Sequence, residues 1–416
     1  MRRGERSEGG TIPSMTTAGD RSSESFHDSD AIGQEAIART AGISARSGLA
    51  LPLPASGIWR FRSRFLGDNR VSTAAAITMG EGDTPVVPLS RWGARHGLNR
   101  VYAKLDGANP TGSYKDRGMS ILVSVARAIG ASHLVEDSSG NAGASAAAYA
   151  ARAGMSCTVY APANAPAPKL RQIRAYGAEL IPVPGPRSAV ADAARNAGSV
   201  PGAYHVSHND NPLFVVGNQS LGFELSETAA ALGCDGLPWH IVMPVGGGAL
   251  FMGAAMALLE SSADQTGSSE AYVNQRAWGA KRGGELSSAV SIPRLHAAQT
   301  THCAPIAEAF GRGEPDSASV VRRPTVCGGI EIERPHRGSD ILRAIAATGG
   351  SAVARDDKDI LKARDDLAML EGIYAEPTSA SALAALAELA AAGTIGPDDL
   401  VFVIVTGSGL KDPGPA

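Results

Sequence analysis

A lysine stands at the start of a predicted helix, in the segment NPTGSYKDRG that runs from Asn109. Gly107 and Pro110 end a strand-like run, and Ile, Val and Ala then predict a helix that begins at about Lys115. Because the positive end of the helix dipole lies there, the neutral form of the amine is easier to reach. A neutral lysine amine can form a covalent bond with a carbonyl group. A solvated loop lysine is the simpler interpretation of this segment alone.

The segment EDSSGNAGASAAAYAA, from Glu136, places a turn between a predicted strand and a predicted helix. The N–H groups at this helix start could hold a carboxylate, because the helix dipole favours an anion there. The donors would be Ser138, Ser139, Asn141 and Ala142. An ordinary helix-capping turn is the alternative if this segment stands alone.

A second anion site is predicted in VMPVGGGALFMGAAM, from Val242, where three glycines separate a strand from a helix. Gly246, Gly247 and Gly248 let the backbone approach a ligand closely and direct N–H groups at a phosphate. The segment lacks the GxGxxG pattern of dinucleotide sites and the lysine of nucleoside-triphosphate loops. We therefore expect this loop to bind the phosphate of a cofactor that is neither a dinucleotide nor a nucleoside triphosphate.

Two hydroxyl side chains follow the last predicted strand, in LVFVIVTGSGLKD from Leu400. Thr406 and Ser408 stand at its carboxyl end, which is where ligands meet parallel sheets. Ordinary strand-end turns also contain Thr and Ser, so this segment alone does not establish a site.

Short apolar runs typical of strands alternate with alanine-rich stretches typical of helices. The predicted strands begin at His133, Cys157, Ala178, Trp239, Arg294 and Leu400, and two predicted helices begin at Ala142 and Ser381. This alternation predicts an α/β fold with parallel sheets covered by helices. We expect surface loops in the polar stretches from Ser261 and Gly311, and a mostly disordered tail over residues 1–55.

Composition is that of an ordinary globular protein, with 44% hydrophobic and 19% charged residues among 416. The 38 basic and 41 acidic residues give a net charge of −3, which provides no attraction to nucleic acid or an anionic membrane. No apolar run is long enough to cross a bilayer, and the first residues lack a hydrophobic signal core. We therefore expect a small-molecule partner and a cytoplasmic location.

Cysteine and histidine spacing predicts neither a disulfide framework nor a metal site. The four cysteines are far apart in sequence and form no CxxC pair: Cys157, Cys234, Cys303 and Cys327. They are expected to be reduced. His205 and His208 lie close together but without a third ligand in sequence, so packed or solvated histidines are expected.

Taken together, these segments resemble the pyridoxal-phosphate (PLP) enzymes of fold type II, the tryptophan-synthase β fold. Within that family the chain is most similar to threonine synthases. The resemblance covers about residues 57–412 and rests on GIWRFR, MGEGDTPVVPL, NPTGSYKDRG, SSGNAGAS, PVGGG, GIYAEPTSASALAAL and VTGSGLKD, in this order. Several long matches in the right order are far more specific than any one of them.

The resemblance implies PLP as the cofactor and Lys115 as the Schiff-base lysine and proton carrier. It implies that Asn141 binds the 3′-oxygen of the pyridoxal ring and that Thr406, or less favourably Ser408, faces the ring nitrogen. The cofactor phosphate would be held by Gly246, Gly247, Gly248, Ala249 and Leu250, and the substrate carboxylate by Ser138, Ser139, Asn141 and Ala142. A hydroxyl at the ring nitrogen suits elimination and replacement better than transamination.

One segment departs from the threonine synthases, in which the arginine of an Asn-Pro-x-Arg stretch binds the phosphate of O-phosphohomoserine. Here Asn211 and Pro212 are present, but Phe214 stands at the arginine position. The following Gln-Lys-Thr is replaced by Asn-Gln-Ser at residues 218–220. An apolar ring cannot make charge-assisted hydrogen bonds to phosphate. We therefore expect elimination or replacement on a different β- or γ-substituted amino acid.

Two alternatives stay open at this point: a serine or threonine ammonia-lyase, and a non-catalytic PLP-binding subunit. For architecture, we expect a smaller domain, residues 108–207, inserted into a larger one formed by residues 56–107 and 208–412. The cofactor would lie between the two domains. The resemblance also implies a homodimer.

Overall fold

The computed structural model describes residues 56–65, 76–165, 167–234, 237–266, 291–412 and 414. The tail predicted over residues 1–55 lies outside these ranges. Among the described residues, none of the helices combines the length and the apolar character needed to cross a membrane.

Strands and helices alternate along the chain, as the sequence pattern predicts. The strands are β1 (Val86–Pro88), β2 (Val101–Lys104), β3 (His133–Glu136), β4 (Ser156–Pro162), β5 (Glu179–Val183), β6 (Ala203–His205), β7 (Trp239–Pro244), β8 (Arg294–Thr300), β9 (Ser351–Arg355) and β10 (Leu400–Ile404). The helices are α1 (Arg62–Phe65), α2 (Ser90–Arg95), α3 (Lys115–Ala128), α4 (Asn141–Ala153), α5 (Ala167–Ala175), α6 (Arg187–Gly198), α7 (Pro212–Ala231), α8 (Ala249–Thr266), α9 (Pro305–Arg312), α10 (Gly338–Thr348), α11 (Asp357–Glu371) and α12 (Pro377–Ala391). Short 3₁₀ turns occupy Ile58–Phe61 and Asp106–Ala108.

The strands form two sheets. The larger has the order β1-β2-β10-β7-β8-β9, and its neighbouring strands are parallel except β1 and β2. The smaller has the order β5-β4-β3-β6 and is wholly parallel. Since parallel neighbours require crossover connections, helices lie between most strands in sequence. The predicted α/β class is confirmed.

The predicted strand starts agree with the structure to within a residue. Helix α12 differs more, because it begins at Pro377 and not at Ser381. Proline suits the first turn of a helix, since it has a fixed φ and needs no N–H partner there. The polar stretch from Ser261 is helical as far as Thr266. The prediction that a surface loop begins at Ser261 is therefore wrong over residues 261–266. Polar composition alone does not end a helix, and the first helix-breaking residue is Gly267.

Strand β10 shows how the core is built. Leu400, Phe402 and Ile404 pack in one hydrophobic cluster, which continues to the smaller sheet. Val401 and Val403 point to a second cluster, formed on the other face of the larger sheet with α11 and α12. Both faces of this parallel strand are therefore buried, which explains its unbroken apolar sequence.

The two sheets use separate parts of the chain. The smaller sheet comes from residues 133–205, and the larger from 86–104 and 239–404. The exact domain boundaries, at residues 108 and 207, stay a prediction. All four cysteines are free and buried, in agreement with the expectation that they form no disulfide.

Candidate active site

Lys115 is the first residue of α3, as the turn residues before it predict. Its amine donates a hydrogen bond to the Tyr114 hydroxyl at 2.7 Å and lies 5.5 Å from the centre of the Phe214 ring. The N–H of Tyr114 donates to the carbonyl of Thr406 at 2.9 Å. The fold therefore joins the lysine segment to the hydroxyl segment that ends β10.

Asp116 follows the lysine and closes the loop that leads into α3. Its buried carboxylate accepts hydrogen bonds from the N–H of Thr111 at 2.7 Å, the hydroxyl of Thr111 at 2.6 Å and the hydroxyl of Ser145 at 2.6 Å. Burial raises the pKa of Asp116 to about 6, although these hydrogen bonds act in the opposite direction. The loop before Lys115 is thus held by the first turn of its own helix.

Arg117 is fully buried and pairs with two carboxylates. Its guanidinium donates to Asp106 at 2.8 and 2.9 Å and to Glu224 at 2.6 and 2.9 Å. The amine of Lys104 lies 2.7 Å from Glu224. Burial alone would raise the pKa of Glu224, but the charges of Arg117 and Lys104 lower it to about 2. We call Arg117, Asp106, Glu224 and Lys104 the Arg117 cluster.

The predicted carboxylate loop lies between β3 and α4. Ser138 and Ser139 are half-buried, Ala142 is buried, and the Ser138 hydroxyl accepts a hydrogen bond from the N–H of Gly140 at 3.2 Å. A methyl group at Gly143 would overlap the carbonyl oxygen of Ser138, so the loop packs tightly on the first turn of α4. Helix starts leave their first N–H groups without partners inside the helix, and such groups bind anions.

Asn141 begins α4, and its side chain contacts a carboxylate that the sequence analysis did not identify. Its amide nitrogen donates to Glu376 at 3.0 Å. Glu376 is buried directly before α12, against the backbone of Gly407. A signal for Glu376 was present in the segment GIYAEPTSAS, where this acid precedes the proline that begins a helix.

The three glycines connect β7 to α8, which begins at Ala249. Gly248 has a φ of 83°, a conformation that side chains disfavour. At Gly246, a methyl group would lie 2.9 Å from a neighbouring backbone carbon, so only glycine fits. Ala249 and Leu250 are both buried in the first turn of α8. The positions of Gly246 and Gly248 therefore require glycine, and a helix start lies directly behind the loop. That the loop binds a phosphate stays a prediction.

Arg337 borders this loop and was not predicted. Its guanidinium donates to the carbonyl of Gly247 at 3.4 Å. Burial lowers the pKa of Arg337, although Asp210 and Asp340 act to raise it. On the other side of the loop, Asn209 Oδ1 lies 2.8 Å from the position of a methyl group on Gly247. No motif in the sequence signalled Arg337, because only the fold brings it to the glycines.

The two hydroxyl residues after β10 have different surroundings. Thr406 is buried, and its hydroxyl lies 2.9 Å from that of Ser379. Ser408 is half-buried and accepts a hydrogen bond from the N–H of Leu410 at 3.3 Å. Which of the two faces the cofactor stays a prediction.

The histidines lie beside acids at the end of β3. His208 Nδ1 is 2.9 Å from Glu136 Oε1, and His205 Nε2 is 4.0 Å from Asp137 Oδ1. Donor atoms of Glu136, Asp137 and His208 lie within 4.8 Å of one another. Nothing in the sequence indicated that these acids lie beside the histidines, because only the pairing of β3 with β6 brings together residues that are distant in the chain. The expectation that no metal binds here stays a prediction.

A family model described as pyridoxal-phosphate dependent enzyme matches residues 77–407. The chain belongs to this family. Its cofactor is therefore PLP, which confirms the prediction from the glycine loop and the ordered motifs.

Curated relatives of this PLP-dependent enzyme include threonine synthases. The one from Methanocaldococcus jannaschii is 31% identical over 86% of this chain and 82% of its own length. The one from Methanosarcina acetivorans is 32% identical over 81% of this chain and 77% of its own length. The chain is thus a PLP-dependent lyase similar to threonine synthases.

Solved structures with the same fold include enzymes of different activities. Maize serine racemase has a TM-score of 0.64 and 20% identity, and covers 85% of this chain and 94% of its own. The processed form of threonine deaminase isoform 2 from Solanum lycopersicum has a TM-score of 0.63 and 16% identity, and covers 88% and 95%. At these identities the likeness shows the fold alone.

The described residues fit PLP on three observations of this structure. The glycine loop leaves no room for side chains, and the guanidinium of Arg337 lies beside it. Ser113, just before the lysine, is fully buried and its hydroxyl has no hydrogen-bond partner in the described part of the chain. Buried hydroxyls normally have a partner, so a bound ligand would satisfy this one.

Proposed function

We propose that the protein catalyses elimination or replacement on a β- or γ-substituted amino acid, with Lys115 as the Schiff-base lysine. The observation that carries this proposal is the meeting of distant segments around one amine. The Tyr114 hydroxyl accepts a hydrogen bond from the Lys115 amine at 2.7 Å. The N–H of Tyr114 donates to the carbonyl of Thr406, just after β10, at 2.9 Å. The Phe214 ring contacts both this amine and His208.

The cofactor would be held by residues from both sheets. The loop Gly246, Gly247, Gly248, Ala249 and Leu250 would bind its phosphate, with Arg337 as an additional cation. Asn141, fixed by Glu376, would donate to the 3′-oxygen of the ring. Thr406, with Ser379 behind it, would face the ring nitrogen, and Ser408 is the less favoured partner. When bound, PLP withdraws electrons from the α-carbon of the amino acid.

The protein's own residues would bind the substrate and move the proton. The loop Ser138, Ser139, Asn141 and Ala142 would hold the α-carboxylate at the start of α4. Lys115 would take the α-proton as general base and return it later. The Tyr114 hydroxyl, bonded to the amine, would keep it oriented. Asp116 and Arg117 fix the turn of helix on which the lysine lies.

Phe214 supports a substrate that is not phosphorylated. Its side chain is fully buried, and its ring packs against Gly118 and faces the amine of Lys115. In the threonine synthase pattern an arginine at this place would bind the substrate phosphate. The ring offers neither charge nor hydrogen-bond donors, so we expect O-phosphohomoserine to be a poor substrate.

The central experiment is borohydride reduction of the holoenzyme, followed by peptide mass mapping. The pyridoxyl group should be found on Lys115, and Lys115→Ala should lose both this label and turnover. Lys362→Ala is the matched control, because this lysine is exposed on α11 and pairs only at the surface. A label on another lysine, or normal turnover of Lys115→Ala, would refute the assignment.

A serine or threonine ammonia-lyase is the second candidate. The solved structures with this fold include the Solanum lycopersicum threonine deaminase and an L-serine ammonia-lyase from Rhizomucor miehei, with TM-scores of 0.63 and 0.61. Keto-acid release from serine or threonine would select this activity. The retained Lys115 argues against a subunit that only binds PLP.

The predicted cytoplasmic homodimer belongs to the same proposal. Four buried free thiols are compatible with a reducing compartment. Sedimentation equilibrium of the holoenzyme tests the dimer directly.

A further inference from the structure

A second group of buried polar residues lies at the carboxyl end of β3. We call Glu136, Asp137 and His208 the Glu136 cluster. Glu136 is fully buried and Asp137 is 4% exposed. Glu136 Oε1 lies 2.9 Å from His208 Nδ1, and Asp137 Oδ2 lies 2.9 Å from a nitrogen of Arg187. One oxygen of each acid is therefore engaged by the protein.

The other oxygen of each acid has no hydrogen-bond partner among the described residues. These atoms are Glu136 Oε2 and Asp137 Oδ1. His205 Nε2 lies 4.0 Å from Asp137 Oδ1, which is too far for a hydrogen bond. An unpaired buried acceptor costs free energy, and few remain in a folded protein unless a ligand or water binds them. An ionised carboxylate oxygen only accepts hydrogen bonds, and a bound cation favours the ionised form of a buried acid. A cation that donates hydrogen bonds would therefore satisfy both atoms.

The position of the cluster is next to the proposed catalytic lysine. Asp137 directly precedes the loop that begins at Ser138. The His208 ring lies 6.0 Å from the Phe214 ring, which in turn lies 5.5 Å from the amine of Lys115. The next residue, Asn209, contacts the glycine loop. The cluster thus adjoins the loop that would bind the carboxylate, and its neighbours Phe214 and Asn209 lie against the amine and the glycine loop.

We propose that the Glu136 cluster binds the side-chain ammonium group of a diamino-acid substrate. This inference rests on the proposed function, since it requires the α-amino group of the substrate to react at Lys115. An ammonium has three N–H donors and a positive charge, and so it matches two unpaired carboxylate oxygens beside an imidazole.

An ammonium fits the cluster better than a divalent metal ion does. His208 Nδ1 is already bonded to Glu136, and the cationic Arg187 beside Asp137 repels a divalent ion more strongly than a singly charged ammonium. Burial, and then Asp137, raise the pKa of Glu136, while the charges of His205, Arg187 and Lys115 lower it; burial, and then Lys115, lower the pKa of His208. A bound ammonium would favour the ionised acid.

The test is equilibrium binding of amino acids to the holoenzyme, followed by the visible absorbance of its cofactor. The probes are 2,4-diaminobutyrate, neutral homoserine and O-phosphohomoserine. The wild-type protein should bind 2,4-diaminobutyrate about tenfold or more tightly than homoserine, because hydrogen bonds to a charged group are strong. O-phosphohomoserine should bind more weakly than either.

Glu136→Gln should abolish the preference of the holoenzyme for 2,4-diaminobutyrate over homoserine. Glu308→Gln, at an exposed acid on α9, is the matched control and should keep the preference. Equal wild-type affinities for the two amino acids would overturn the proposal without any variant. A preference that persists in Glu136→Gln, or one that disappears on chelation of metals, would also overturn it. Borohydride labelling of Lys115 in the same samples reports separately on the proposed function.

Discussion

The Arg117 cluster and the Glu136 cluster are both buried, both charged and both close to Lys115, but only the first is internally satisfied. Arg117 makes four hydrogen bonds to Asp106 and Glu224. Glu136 and Asp137 each keep an oxygen without a hydrogen-bond partner in the described ranges. A closed network fixes a geometry, whereas an open one has the capacity to bind. We infer that the first cluster positions the lysine and the second recognises the substrate.

The largest effect is expected from Arg117→Met. The substitution leaves two carboxylates buried without their counter-charge, so the free energy of unfolding should fall by about 3–5 kcal/mol. Chemical denaturation of the two proteins measures this difference. Arg322→Met is the control, because this arginine is half exposed and its ion pair is worth about 1 kcal/mol or less. A small loss at Arg117 would contradict the distinction between the clusters.

The second-largest effect is expected at acid pH, where protonation of Glu224 should lower the stability that the Arg117 cluster provides. The pKa of Glu224 is about 2 in the folded protein and near 4.5 in the unfolded chain. The unfolded chain therefore binds the proton first, so stability is present above about pH 4.5 and is lost as the pH falls toward 2. The loss should be on the order of 3 kcal/mol. Denaturation at a series of pH values checks it, with Glu314→Gln at an exposed ion pair as the control. Stability independent of pH in this range would contradict the ion pairing.

Gly118→Ala should disturb the ring that lies between the two clusters. A methyl group at this position would lie 2.5 Å from the Phe214 ring, so the ring must move and stability should fall by about 1–3 kcal/mol. Gly311→Ala, on α9, is the control, because a methyl group at this position would have no atom within 4 Å. This substitution should be neutral or stabilising, since alanine favours helix more than glycine does. Phe214→Leu combined with Gly118→Ala should recover part of the loss. Equal thermal shifts in the two glycine variants would argue against this packing.

The smallest effect on stability is expected from Glu136→Gln, within about 1 kcal/mol near neutral pH. Burial and Asp137 raise the pKa of Glu136, so the folded protein keeps a proton that the unfolded chain releases above about pH 4.5. Stability should therefore fall as the pH rises above 4.5, and the variant should lack this fall. Glu224→Gln, at a satisfied acid, should cost several times more. A similar loss in both variants would show that the clusters are equivalent.

Local sequence was sufficient to predict where many of the strands and helices of the fold begin. β10 is a continuous apolar run because both of its faces are buried, and its start was predicted to the residue. The start of α3 at Lys115 also followed from the turn residues before it. The continuation of α8 to Thr266 did not follow from the sequence, because polar residues do not by themselves end a helix.

Part of the candidate site was also visible in the sequence. The lysine and the glycine loop appeared as contiguous motifs, since their backbone shape depends on neighbouring residues. Arg337 and Glu376 carry no such local signature and were missed.

The sequence alone determined the fold class and the family, and it predicted which segments bind a phosphate, a carboxylate and a carbonyl carbon, because these properties depend on residues adjacent in the chain. Only the tertiary structure decided which charges are paired. Arg117 meets Glu224 through the packing of α3 on α7, and Glu136 meets His208 through the pairing of β3 with β6. Pairing and burial depend on contacts between segments that are distant in sequence, and burial makes the difference between a paired and an unpaired carboxylate decisive.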